Sequence, residues 1–170
     1  PIPPTKGSML ASVSKAELIG RQSALAKLNE LLQERGCVIS ICAPEGYGKT
    51  RLVASLLDDD DDLHSFVSLS GAGDLQDVLR RVGLALDIDA SAQILGDFSE
   101  LIGEVMGARG RVLLFLDDAS PMPGLVETLS RWRRLAPELR VLITGRAPLK
   151  AEGEIRLRLG PLRFPSKSSR

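Results

Sequence analysis

The chain has few of the residues that mark disulfide-rich, metal-rich or nucleic-acid-binding proteins. Its 170 residues include two cysteines and one histidine, and 22 basic side chains are balanced by 22 acidic ones. Cys37 and Cys42 flank one predicted strand and cannot form a disulfide without bending it, so we expect buried, reduced thiols in a cytoplasmic protein. Because no basic excess is available to attract phosphate backbones or anionic lipids, we expect no direct nucleic acid or membrane partner.

Long hydrophobic runs are also missing. No apolar run approaches the roughly 18 residues of a membrane span, and residues 1–6, PIPPTK, lack the hydrophobic core of a signal peptide. The length suits one domain with a proper core, since about 150 residues bury about 70% of the unfolded surface. We expect a linker or cloning-derived arm over residues 1–15, one domain over residues 16–163, and a linker to a further domain over residues 164–170.

The most informative stretch is residues 37–56, CVISICAPEGYGKTRLVASL. An apolar strand, a glycine-rich turn and a helix in this order form a phosphate-binding loop, or P-loop. The backbone N–H groups of the turn and the helix N-terminus point positive charge at one spot. The candidate nucleotide-binding residues are Pro44, Glu45, Gly46, Tyr47, Gly48, Lys49, Thr50 and Arg51.

Two residues of this loop have specific expected roles. Lys49 is expected to contact the β- and γ-phosphates and to be mostly solvated without nucleotide, while the Thr50 hydroxyl ligates Mg²⁺. The consensus G-x-x-x-x-G-K-[ST] has glycine where this chain has Ala43, which costs little if φ is negative. The alternative is a chance Gly-Lys-Thr sequence in an ordinary loop.

The remainder of the chain alternates short apolar strands with amphipathic helices. Strands are predicted at residues 38–42, 65–69, 111–116, 139–143 and 155–159, the last at a sheet edge. This alternation predicts a three-layer α/β sandwich with right-handed crossovers. The aspartate run at residues 58–62 is expected to be a solvated loop, and His64 a surface residue. Trp132 is expected in the core, with the arginines around it mostly solvated rather than binding nucleic acid.

Acidic and basic residues follow two of the predicted strands. Ligands in such sheets bind at the carboxyl ends of the strands, so the P-loop, Asp117-Asp118 and Thr144-Gly145-Arg146 are expected at one edge. Asp117 is the candidate Mg²⁺ ligand, the alternative being a helix-capping aspartate. Asp118 is the candidate for orienting or deprotonating the attacking water. Arg146 is the candidate sensor of the γ-phosphate, the alternative being a surface arginine paired with an acid.

Five segments together resemble one family. Residues 18–22, LIGRQ, resemble its opening hhGRE/Q motif, and residues 43–50, APEGYGKT, are similar to its APxGYGKT P-loop. Residues 114–118, LFLDD, look like its hhhDD motif. Residues 142–146, LITGR, resemble its hhxTSR strand, with glycine for the usual serine or threonine. Residues 159–162, LGPL, resemble its L-x-P-L segment. The family is the STAND class of P-loop ATPases, which includes NB-ARC proteins and bacterial activators of the maltose-regulator type.

The resemblance implies a fold, ligands and a function. The fold is an ASCE-type P-loop NTPase with a five-stranded parallel sheet of order 5-1-4-3-2. Gly20, Arg21 and Pro161 frame the nucleotide base, and the ligands are ATP or ADP with Mg²⁺. The function is a regulatory switch in a larger signalling or transcription-regulating protein, with weak, Mg²⁺-dependent hydrolysis. Its partners are other domains of the parent protein, with nucleotide-dependent self-association.

Other functions remain open from the residues alone. Ala43 and the short Asp118 side chain fit a degenerate module that binds nucleotide or other proteins without turnover. A small-molecule kinase would need an acceptor site and a lid with arginines, and no such segment is evident. A nucleic-acid-driven ATPase is disfavoured by the balanced charge.

Overall fold

A five-stranded sheet organises the fold. The computed structural model describes residues 20–57, 63–89 and 97–161. The elements in chain order are α1 (Gln22–Leu31), β1 (Val38–Cys42), α2 (Lys49–Leu57), β2 (Leu63–Ser68), α3 (Leu75–Ala85), α4 (Phe98–Arg109), β3 (Val112–Asp117), α5 (Leu125–Leu135), β4 (Arg140–Gly145) and β5 (Glu154–Arg158). The expected arm at residues 1–15, the acidic run at 58–62 and the linker at 164–170 lie outside the described residues.

The strand order is β2-β3-β4-β1-β5, and every neighbouring pair is parallel. This is the predicted order 5-1-4-3-2 read from the other edge, so the predicted fold class is confirmed. Strand β4 lies between the strand that enters the P-loop and the strand that ends in Asp117. Because all strands run in one direction, the ends of β1, β3 and β4 open on the same edge.

Alternate side chains of the central strands pack into two separate hydrophobic cores, one on each face of the sheet. Leu114 and Leu116 of β3 pack with helices α3, α4 and α5, whereas Leu113 and Phe115 pack with α1 and α2. All four side chains are fully buried. A strand covered on both faces has no polar alternation, which explains its continuous apolar sequence. Helices on both faces make the three layers that the alternating pattern predicts.

Three details bear on the sequence-based interpretations. Trp132 is fully buried, as expected, and its Nε1 donates to the Ser99 carbonyl at 2.8 Å. Strand β2 begins at Leu63, two residues earlier than predicted, so His64 lies inside a strand. Its side chain is half-buried, so the expected surface position of His64 holds only in part. None of the helices in the described ranges is long and apolar enough to cross a membrane.

Both cysteines are free thiols, on either end of β1. Cys37 is buried, whereas Cys42 is half-buried, so the predicted burial holds fully for the first and partly for the second. Burial raises the pKa of the Cys37 thiol. Burial, with the nearby Glu154 carboxylate, raises the pKa of the Cys42 thiol. A raised thiol pKa keeps the group protonated and weakly nucleophilic at neutral pH.

Candidate nucleotide-binding site

The phosphate-binding turn lies between the last residue of β1 and the first of α2. Gly46 and Gly48 have φ angles of +82° and +78°, a region in which side chains are strained. Ala43 is not among the described residues with positive φ, and its N–H donates to the Gly145 carbonyl at 3.3 Å. Alanine therefore replaces the first consensus glycine without backbone strain. The relaxed consensus is no sign of a defective loop.

Lys49 folds back over this turn. Its Nζ donates to the Ala43 carbonyl at 2.8 Å and to the Pro44 carbonyl at 2.9 Å. The side chain is half-buried rather than mostly solvated, which corrects the expectation from sequence. Both acceptors therefore belong to the phosphate-binding turn itself. A phosphate entering the loop would take their place as acceptor.

Arg21 connects the start of the described chain to the turn. The residue is 7% exposed, and its Nη2 donates to the Tyr47 carbonyl at 2.9 Å. The Tyr47 ring packs against the core formed with α1 and α2. Gly20, immediately before, is exposed with φ of +81°. The segment therefore lies beside the P-loop, as the resemblance implies, and its contact with the base stays a prediction.

The remaining predicted binding residues surround the same edge. Pro44, Glu45, Gly46 and Gly48 are exposed in the turn, and Arg51 is exposed in the first turn of α2. Pro161 is exposed at the end of the described chain, after β5. Exposed backbone at a helix N-terminus is what a phosphate needs.

Asp117 joins three elements at the end of β3. Its Oδ1 accepts from the Thr50 hydroxyl at 2.8 Å and from the Thr144 hydroxyl at 2.6 Å. A hydroxyl and a carboxylate side by side are hard oxygen donors of the kind Mg²⁺ prefers. The two residues predicted from sequence as metal ligands are therefore brought together and fit that ion.

Thr144 is a site residue that the sequence-based assignment left out. The residue is 1% exposed, and its Oγ1 also accepts from the Asp118 N–H at 3.0 Å. One hydroxyl thus positions both acids. The available signal was its place at the end of a strand, directly before the candidate sensor arginine.

Asp118 has an unusual backbone. Its φ is +56°, in the left-handed region, and its side chain is exposed. Aspartate adopts this region more readily than most residues, at a modest cost. The N–H of Ala119 donates to the Thr144 carbonyl at 2.8 Å, so the turn is clamped to β4 from both sides of Asp118. These hydrogen bonds hold the acid at the edge where its predicted role would place it.

Gly145 is required by this clamp. A Cβ added to Gly145 would lie 2.5 Å from the carbonyl oxygen of Ala119. Contacts under 3.0 Å force a shift, and a backbone atom shifts less readily than the end of a side chain. The departure of this chain from serine or threonine in the sensor motif therefore has a steric cause.

We expect Gly145→Ser to destabilise the fold by about 1–3 kcal/mol through overpacking. For a domain of this size, about 1 kcal/mol shifts the melting temperature by about 2–4 °C. The matched control is Gly73→Ser, because an added Cβ there meets no atom within 4 Å. Thermal unfolding of both variants checks the result, and equal melting temperatures would contradict the steric explanation.

Arg146 lies just past β4 and forms an ion pair with the P-loop. Its Nη2 lies 2.7 Å from Oε2 of Glu45, and the two side chains are 73% and 85% exposed. The sequence left open a phosphate sensor or an arginine paired with an acid. In this structure the arginine is paired with an acid, and that acid belongs to the phosphate-binding turn itself. Exposed ion pairs contribute about 0–1 kcal/mol, so this one is easily exchanged.

Glu154 anchors the loop that begins with Arg146. Its side chain is 1% exposed, and its oxygens accept from the N–H groups of Leu149 at 3.0 Å and Lys150 at 2.9 Å. The Ser40 hydroxyl of β1 also donates to this carboxylate. Nothing in the sequence near Glu154 indicates that its side chain accepts hydrogen bonds from this loop and from β1. Sequence-based reasoning therefore missed these contacts.

Comparison with known proteins shows the family and the fold. A family model described as an AAA domain matches residues 31–150. No curated protein sequence is significantly similar to the chain. Among solved structures, Cdc6p of Pyrobaculum aerophilum has a TM-score of 0.60 at 18% identity, covering 85% of this chain and 48% of that one.

Two further solved structures share the fold. A STAND protein of Pyrococcus horikoshii with a tetratricopeptide repeat sensor has a TM-score of 0.58 at 22% identity, covering 83% of this chain and 23% of that one. A Walker-type ATPase of Pyrococcus abyssi has a TM-score of 0.56 at 13% identity, covering 86% and 55%. At these identities the likeness concerns the fold, and the chain spans 23% to 55% of the length of these proteins. The family model covers more than half of the chain, which therefore belongs to the AAA domain family of P-loop ATPases.

Proposed function

We propose that this P-loop ATPase domain is a nucleotide-operated switch of the STAND class, in the NB-ARC or maltose-regulator-like group. It binds ATP and ADP with Mg²⁺, hydrolyses ATP slowly, and regulates a larger signalling or transcription-regulating protein. The observation that carries the proposal is the contact of Arg146 with the P-loop at the edge that also holds Lys49, Thr50 and Asp117. A guanidinium that reaches the P-loop is within reach of a phosphate held in it.

Each residue has a proposed task. Lys49 exchanges its two carbonyl acceptors for β- and γ-phosphate oxygens, and the exposed backbone of residues 44–48, with Arg51, cradles the phosphates. Thr50 and Asp117 hold Mg²⁺, which would neutralise charge on those oxygens. Gly20, Arg21 and Pro161 frame the base. Arg146 contacts the γ-phosphate, so that ATP and ADP stabilise different arrangements of the domains around this module.

Hydrolysis is proposed to be slow. Asp118 is the candidate for orienting the attacking water, but an aspartate side chain is short for this task. The left-handed backbone of Asp118 also restricts the direction in which its side chain leaves the chain. We expect turnover well below the roughly 1–100 s⁻¹ of kinases. The second candidate function, nucleotide binding without turnover, is favoured by the same observation on Asp118. Measuring phosphate release by the monomeric chain separates the two.

The domain is proposed to span residues 16–163 of a longer protein. Its partners are the nucleotide, the other domains of the parent protein and, in a nucleotide-dependent manner, a second copy of the chain. Neither nucleic acid nor membrane is proposed as a partner, because the charge is balanced overall.

Arg146→Ala tests the sensor role. A charge-assisted contact is worth about 1.5–3 kcal/mol, so the variant should lose roughly tenfold or more in ATP affinity and little in ADP affinity. The measurement is calorimetric titration with each nucleotide and Mg²⁺. The matched control is Arg35→Ala, which removes another exposed arginine, paired with Glu138 at 2.8 Å. Equal losses for ATP and ADP would remove Arg146 from the sensor role.

A further inference from the structure

Glu45 is an acid within the turn that wraps the phosphates. It is 85% exposed and pairs with Arg146, which is 101 residues away in sequence. A carboxylate is electrostatically unfavourable where a triphosphate binds, since like charges repel. We therefore asked which interaction of the Glu45 carboxylate offsets this repulsion.

The other polar groups at this edge accept or donate within the protein. The Lys49 ammonium donates to two carbonyls of the loop, and the Arg21 guanidinium donates to the Tyr47 carbonyl. The Thr50 hydroxyl donates to the Asp117 carboxylate. Arg146 differs from these two cations because its acceptor is a carboxylate. Guanidinium groups bind carboxylate and phosphate oxygens with the same planar donors. Glu45 therefore occupies Arg146 with the protein group closest in chemistry to a phosphate.

We propose that Glu45 sets the preference between ADP and ATP by competing with the terminal phosphate of ATP for Arg146. With ADP bound, Arg146 keeps its contact with Glu45. With ATP bound, the arginine must leave Glu45, whose negative charge then remains near the phosphates. The inference rests on the proposed nucleotide switch and assigns Glu45 as the residue that lowers its affinity for ATP relative to ADP.

The size of the effect follows from the exposure of the pair. An exposed ion pair is weak because water screens it, so its removal should change an affinity about two- to fivefold. This is enough to move a switch whose two nucleotides are present at comparable concentration. The ion pair is also weak enough for a bound nucleotide to displace it.

The test is a double-mutant cycle on the whole chain. Dissociation constants for Mg²⁺-ADP and for a non-hydrolysable ATP analogue are measured by calorimetry for wild type, Glu45→Gln, Arg146→Ala and the double variant. We expect Glu45→Gln to tighten the ATP analogue about two- to fivefold and to change ADP by less than about 1.5-fold. In the Arg146→Ala background the same substitution should change the ratio of ATP-analogue to ADP affinity less than in wild type, because no guanidinium is left to release and only the repulsion between Glu45 and the phosphates is removed.

The control is Glu138→Gln, which removes the acid of the exposed Arg35 pair and should change neither affinity. Equal tightening of ADP and the ATP analogue by Glu45→Gln, or a change in their affinity ratio that is as large without Arg146 as with it, would overturn the inference while leaving the switch intact. A wild-type chain that binds neither nucleotide would instead refute the proposed function and the inference with it.

Discussion

Lys49→Ala is expected to weaken the binding of Mg²⁺-ATP and Mg²⁺-ADP by about 100-fold or more. Two charge-assisted hydrogen bonds to phosphate oxygens are worth about 3–6 kcal/mol together, and each 1.4 kcal/mol is about a factor of ten. The Lys49 Nζ donates to the Ala43 carbonyl oxygen at 2.8 Å and to the Pro44 carbonyl oxygen at 2.9 Å. The ammonium therefore already lies at the turn that would hold the phosphates. Calorimetric titration with both nucleotides measures the loss.

The fold of the Lys49→Ala variant should remain intact. The side chain is half-buried, and the carbonyls that it leaves lie in an exposed turn where water can replace it. The control is Lys27→Ala, which removes an exposed lysine from its pair with Glu30 on α1 and should leave affinity unchanged. Unchanged nucleotide affinity in the Lys49 variant, with an unchanged melting temperature, would refute the P-loop assignment.

Asp117→Asn is expected to remove the dependence of nucleotide affinity on Mg²⁺ and to lower phosphate release by about 100-fold or more, since metal-assisted charge stabilisation is worth several kcal/mol. The amide oxygen can still accept from the Thr50 and Thr144 hydroxyls that now bond to Oδ1 at 2.8 and 2.6 Å. The folded structure should therefore persist while the negative charge is lost. Titrations with and without Mg²⁺, and a phosphate-release assay, measure the two effects.

Asp117→Ala separates the metal role from the structural one. It removes the acceptor as well as the charge, leaving the buried Thr144 hydroxyl without its carboxylate partner, at a cost of about 1–3 kcal/mol. We expect this variant to unfold at lower temperature than Asp117→Asn while losing Mg²⁺ dependence equally. If Asp117→Asn keeps the wild-type response to Mg²⁺, Asp117 is a structural acid and not a metal ligand.

The amino-acid sequence by itself determined the local features of the site. The strand, turn and helix over residues 38–57 follow from an apolar run, from glycines and from helical periodicity, all within a few residues of one another. The position of Asp117 directly after an apolar run likewise predicted it as a site residue. The parallel sheet followed from the alternation of strands and helices, and its order from the resemblance of five short motifs. These signals are local because they report backbone preference and burial pattern.

The tertiary structure decided which side chains meet. Thr144 bridges Asp117 and Asp118 because β4 lies beside β3, in a register that pairs Leu116 with Ile143. Gly145 must lack a side chain because the Ala119 carbonyl packs against it, which no spacing in the sequence reveals.

The same reason explains the contacts that sequence-based reasoning missed or left open. Arg146 and Glu45 are 101 residues apart, and Arg21 and Tyr47 are 26 apart. Each pair depends on how separate loops converge at the carboxyl edge of the sheet, and side-chain chemistry alone offers each arginine many acceptors. Local pattern therefore predicted a nucleotide site at the carboxyl edge of the sheet. The packing of β1, β3 and β4 decided which side chains meet there.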